Sequence, residues 1–128
     1  MAHRSRLSGF IIDCKTDDLD AATDFWSQAL GCSIADRDAG DGEAEYQMLG
    51  DTPGDLHIEV QKVDHPSRVH LDIEADDVDA EAARLEALGA KKIGFIKRWW
   101  VMEAPTGQRF CVVRTKHPDR GPAWNDWT

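Results

Sequence analysis

The chain has 128 residues, enough for one domain with a core of its own. Its 41% hydrophobic and 30% charged composition fits a globular protein, and its formal net charge of −9 argues against nucleic acid or an anionic membrane surface as a partner. That charge favours cationic ligands.

In chain order, the start MAHRSRLSGFIIDCK is basic, and its apolar stretch is too short for a signal peptide. A strand through Ile11 and Ile12 leads to TDDLDAATDFWSQALG, a helical pattern closed by Gly31. Strands follow in CSIADRD, AEYQMLG and, after a Pro/Gly turn, in DTPGDLHIEVQ. The same order then repeats. RVHLDIEADDVDAEAARLEALGA reads as a strand and a helix with helically spaced Val78, Ala82, Leu85 and Leu88, closed by Gly89. KKIGFIKR, WWVMEA and EAPTGQRFCVV supply three more strands. No apolar run is long enough to cross a membrane as a helix.

Laying Ile11–Ala21 over His70–Ala80 matches five of eleven positions: Asp13 with Asp72, Asp17 with Asp76, Asp18 with Asp77, Asp20 with Asp79, and Ala21 with Ala80. Pairing Pro53 with Pro105 puts Ile58 on Phe110, Glu59 on Cys111 and Val60 on Val112. The chain is thus an internal duplication of a strand–helix–three-strand unit, over residues 8–63 and 68–115, with a tail at 116–128. The repeated aspartates stand at helix starts, where they cap free N–H groups and oppose the helix dipole. In the tail, Pro118, Gly121 and Pro122 argue against regular structure. Trp124 and Trp127 are expected to pack on the domain, across a dimer contact or over a ligand opening, with a disordered end as the alternative. Cys14, Cys32 and Cys111 are odd in number and lack zinc-motif spacing, which fits a reducing, cytoplasmic setting.

Strand alternation sorts the side chains. Leu71 with Ile73, Phe110 with Val112, and Ile58 with Val60 are expected to face the helices, which leaves His70, Glu59 and Cys111 on the opposite face. His57 shares Glu59's register, about 7 Å along the strand.

The duplicated βαβββ pattern, carried by VHLDIEADDVDAEAARLEALGA and the closing strand WWVMEAPTGQRFCVV, resembles the vicinal oxygen chelate superfamily of glyoxalase I, bleomycin-resistance proteins and extradiol dioxygenases. The resemblance covers residues 8–115, with Ala104 where the family's closing strand often carries Asp. It implies an α+β fold in which two βαβββ modules form a curved mixed sheet around a ligand cleft. The family's metal positions fall here on Ile11, Glu59, His70 and Cys111. Ile11 cannot ligate, so the resemblance implies at most a divalent metal (zinc, nickel, iron or manganese) on Glu59, His70 and Cys111. Without a metal, His70 and Glu59 would act as an acid–base pair. Glyoxalase I and extradiol dioxygenase activities are disfavoured, the first by Cys111 and the second by a single histidine at a ligand position. The function implied is small-molecule binding by a glyoxalase-like lyase or isomerase, as a homodimer. The alternative is a drug-sequestering protein of the bleomycin-resistance type, with Trp99, Trp100 and Met102 as the ligand surface and, as the competing reading, alternate members of WWVME filling the core. Lys97 and Arg98 would contact an anionic substrate or remain solvated.

Overall fold

A computed structural model describes residues 2–40 and 45–128. The elements are β1 (His3–Lys15), α1 (Leu19–Leu30), β2 (Ser33–Asp36), β3 (Tyr46–Gly50), β4 (His57–Val63), β5 (Arg68–Ala75), α2 (Val78–Ala87), β6 (Lys91–Ile96), β7 (Trp99–Glu103), β8 (Arg109–Arg114) and β9 (Asn125–Trp127). Both βαβββ modules are therefore present, and the fold is mixed α+β. Ala44, the first residue of the expected AEYQMLG strand, lies outside the described residues.

The chain divides into two compact units, Phe10–Val69 and His70–Thr128 with the residues up to Gly9, so β1 contributes to both. In the first unit the strand order is β2-β3-β4-β1. Its core is Ile12, Cys32, Leu49, Ile58 and Val60, with Leu19, Ala22 and Trp26 of α1 packed against it. In the second unit the order is β1-β5-β8-β7-β6, with β9 added to the start of β1. Its core is Ala75, Ala82, Met102, Phe110 and Val112, joined by Ile73, Val78, Leu85 and Trp100.

The repeated aspartates explain why the helices start where they do. Asp18 accepts a hydrogen bond from Ala21 N at 3.0 Å, and Asp77 accepts one from Ala80 N at 3.0 Å. Each supplies a partner that the first helical turn lacks. Gly31 ends α1 with a left-handed φ of 68°, which a residue without Cβ adopts freely. The next repeated aspartate does more than oppose the dipole. Asp20 accepts from Gln47 Nε2 of β3 at 2.7 Å, and Asp79 accepts from Trp100 Nε1 of β7 at 2.9 Å. In both modules one carboxylate thus ties the helix start to the same strand of the repeat.

Leu71 takes the expected register, level with Phe110 and alternating with Ile73 of the core, but is half exposed. Lys97 and Arg98 form the two-residue turn of the β6–β7 hairpin, with Lys97 at a φ of 56°.

The tail is ordered on the second unit. β9 pairs with β1 from His3↔Trp127 to Ser5↔Asn125. Trp127 Nε1 donates to Ser5 Oγ at 2.8 Å, and the Arg84 guanidinium lies 3.9 Å from the Trp127 ring centre. Of the three placements expected for the tryptophans, packing on the domain is the one seen within the chain.

Candidate functional site

The face of the second unit turned away from α2 is assembled by strand register. Asp72 of β5 lies level with Cys111 of parallel β8, and Cys111 lies level with Val101 of β7. One rung further along β5, Glu74 is level with Val113. Since Trp100 pairs with Val112, Trp99 belongs to that second rung. In the other direction come His70 on β5 and Arg109 on β8, the latter paired in register with Glu103 and bonded to it at 3.3 Å. Side chains two residues apart share a face, so one surface carries His70, Asp72 and Glu74 beside Cys111 and Val113.

His70 Nε2 stands 3.7 Å from Asp72 Oδ1. Donor atoms of His70, Asp72 and Cys111 all lie within 4.8 Å of one another. Asp72 is buried, whereas His70 and Cys111 are partly exposed. Imidazole, carboxylate and thiolate together are a zinc-type donor set: each is an accepted zinc ligand, and three protein donors leave a position for a further ligand.

Glu59 belongs to the first unit. There it is level with Met48 of β3, and its carboxylate accepts a hydrogen bond from His57 Nε2 of the same strand. The spacing of about 7 Å between their backbones does not keep them apart, because both side chains stand on the same face and are long enough to meet. Ile11 and Asp13 alternate with Ile12 of the core, and the buried Asp13 carboxylate has the Arg68 Nε at 3.5 Å.

The three apolar residues expected at a ligand surface separate. Met102 has no solvent exposure and sits in the core with Phe110 and Val112, so it fills the core instead of touching a ligand. Trp100 packs on the same core, T-shaped against Phe95 with ring centres 5.0 Å apart. Trp99 takes the opposite register, on the face of Cys111. Asp72 was missed as a donor. The alternation His70, Asp72, Glu74 carried the signal, but its pairing with Cys111 depends on the β5–β8 register, which one chain segment alone does not contain.

A family model for the glyoxalase-like domain matches residues 9–113. The chain belongs to the glyoxalase-like family. That family lies in the vicinal oxygen chelate superfamily, as the duplicated modules implied. A search of curated proteins found no match. Among solved structures, methylmalonyl-CoA epimerase from Mycobacterium tuberculosis is similar at 15% identity and a TM-score of 0.64, over 86% of this chain and 89% of that one. A hypothetical protein from Bacillus halodurans C-125 is similar at 12% identity and a TM-score of 0.67, over 88% and 95%. A glyoxalase/bleomycin resistance protein/dioxygenase superfamily member from Vibrio splendidus 12B01 is similar at 15% identity and a TM-score of 0.54, over 87% and 99%. At these identities the likeness is one of fold. It places the glyoxalase-like chain among proteins of one architecture, and its chemistry has to be argued from its own side chains.

Proposed function

We propose that this glyoxalase-like protein binds a small molecule together with a thiophilic divalent ion, zinc first, on the His70–Asp72–Cys111 face, and acts there as a lyase or isomerase. The observation that carries the reading is the approach of three chemically matched donors to within 4.8 Å inside one unit. Asp72 takes the third donor place first assigned to Glu59. When bound, the ion would supply Lewis acidity to an oxygen of the ligand. The thiolate of Cys111 favours zinc over the harder manganese.

The protein's own groups have separable roles in this reading. Buried Asp72 is the carboxylate donor, its Oδ1 3.7 Å from His70 Nε2. Trp99 and Val101 offer apolar surface beside the donors. Within its own unit Glu59 is a carboxylate held in one orientation by His57 Nε2, as a general base has to be. The homodimer is part of the proposal. Edge strand β6 exposes Ile93, Phe95 and Ile96, and an exposed apolar edge is a surface that pairs.

A second reading, sequestration of a bulky ligand without turnover, is favoured by Trp99 alone. Cobalt loading separates the metal from the ligand surface. Cobalt-loaded protein should show the near-ultraviolet thiolate-to-cobalt absorption, and Cys111→Ser should abolish it while leaving the fold intact. Absence of that band in the parent protein would remove the thiolate from the site.

A further inference from the structure

The tail beyond β8 has no counterpart in the first module, and the chemistry above does not use it. We infer that residues 117–124, locked by Arg6, form an end wall to the His70–Asp72–Cys111 face and limit the length of the ligand it admits. The inference rests on reading that face as the ligand face.

The wall is built around one buried cation. Arg6 is 5% exposed, and its Nε donates to Glu74. Its Nη1 donates to the carbonyl of Pro122 at 2.6 Å, and its Nη2 to those of His117 at 3.0 Å and Arg120 at 2.6 Å. The Trp124 ring covers the guanidinium at 3.9 Å and donates through Nε1 to the Pro118 carbonyl at 3.0 Å. Gly121 is held at a φ of 102°, where an added Cβ would meet the guanidinium at 3.3 Å. A planar donor fork that spans three carbonyls fixes the loop's shape, and no flexible linker needs such a device.

Glu74 puts this structure at the site. It stands on the same strand face as Asp72, one rung along, level with Val113. The Glu74 end of this clamp is therefore about 7 Å, one rung, beyond the Asp72–Cys111 pair. The Arg6–Glu74 pair cancels its own charge. At the opposite end Arg109 and Glu103 are only partly covered, with side chains 39% and 30% exposed. A ligand seated at Cys111 must extend toward Arg109 and Glu103, away from Glu74.

Cys111 itself reports the wall. Metal-free protein is treated with iodoacetamide and, separately, with a fluorescein maleimide, and the rate at Cys111 is followed by peptide mass spectrometry. Burial pushes the Cys14 thiol up, with Asp13 adding to the effect, so Cys14 contributes slow background that peptide mapping resolves. With Arg6→Gln or Trp124→Ala, the bulky reagent should react about tenfold faster and the small one within about twofold of the parent. An unchanged bulky-to-small ratio in both variants would overturn the wall. If Arg6→Gln loses its fold by circular dichroism, Trp124→Ala decides, since Trp124 stacks on the guanidinium without neutralising it. Because no metal is used, a protein that binds no zinc still answers this test.

Discussion

Asp72 decides how much chemistry the second unit holds on its own. With it, three donors converge without any residue of the first unit. Asp72→Asn should weaken zinc binding by more than the roughly 10–100-fold that an outer-shell change costs. Isothermal titration with zinc reads this directly, and a loss below tenfold would demote Asp72 to orienting His70. The two registers of WWVME make a paired prediction. Met102→Ala should cost about 2–5 kcal/mol of stability by opening a core cavity, with zinc binding unchanged. Trp99→Ala should cost far less stability and should instead weaken ligand binding. Chemical denaturation of both variants checks the contrast. Sequence alternation showed that these residues fall into two sets. Which set faces the helix is a property of the partner strands, since a slip of one residue exchanges the faces.

At the scale of elements, β1, α2 and β9 are joined through the buried Glu81. It accepts from Arg84 Nε at 2.8 Å and pairs with His3 Nε2 at 2.7 Å. Burial alone would raise the Glu81 carboxyl, but hydrogen bonds from Arg84, His3 and Ser5 outweigh it and hold the group below its ordinary 4.5. A depressed carboxyl contributes stability in full above its unfolded value and loses it as pH falls through the folded one. Glu81→Gln should therefore cost about 1–3 kcal/mol at neutral pH, and its gap from the parent should close in thermal melts taken below pH 4.5. A gap that is constant across that range would deny Glu81 its charge. The helix starts were legible, since Asp18 and Asp77 cap as their positions required. β9 was not, because three residues leave no periodicity and Arg6, which orders the loop before it, is distant in sequence. Its role appears only once its carbonyl partners are in place.

For the whole molecule, the duplication was the strongest signal and fixed both modules, because strand, helix and turn signals recur in the same order. Two of the three donors were legible. His70 and Cys111 followed from alternation and internal alignment, whereas Asp72 joins them only through the β5–β8 pairing register. The exposed apolar edge of β6 makes the oligomer testable. Phe95→Lys should shift the proposed dimer toward monomer in sedimentation, and a parent protein that is monomeric at assay concentration would remove the dimer from the proposal.

The most direct test of the metal site is elemental mass spectrometry on protein purified without chelator or histidine tag, beside His70→Ala, Asp72→Asn and Glu59→Gln. The expected result is about one zinc-class ion per chain, lost in His70→Ala and Asp72→Asn and kept in Glu59→Gln. No metal above trace levels in the parent, even after incubation with each ion, would contradict it.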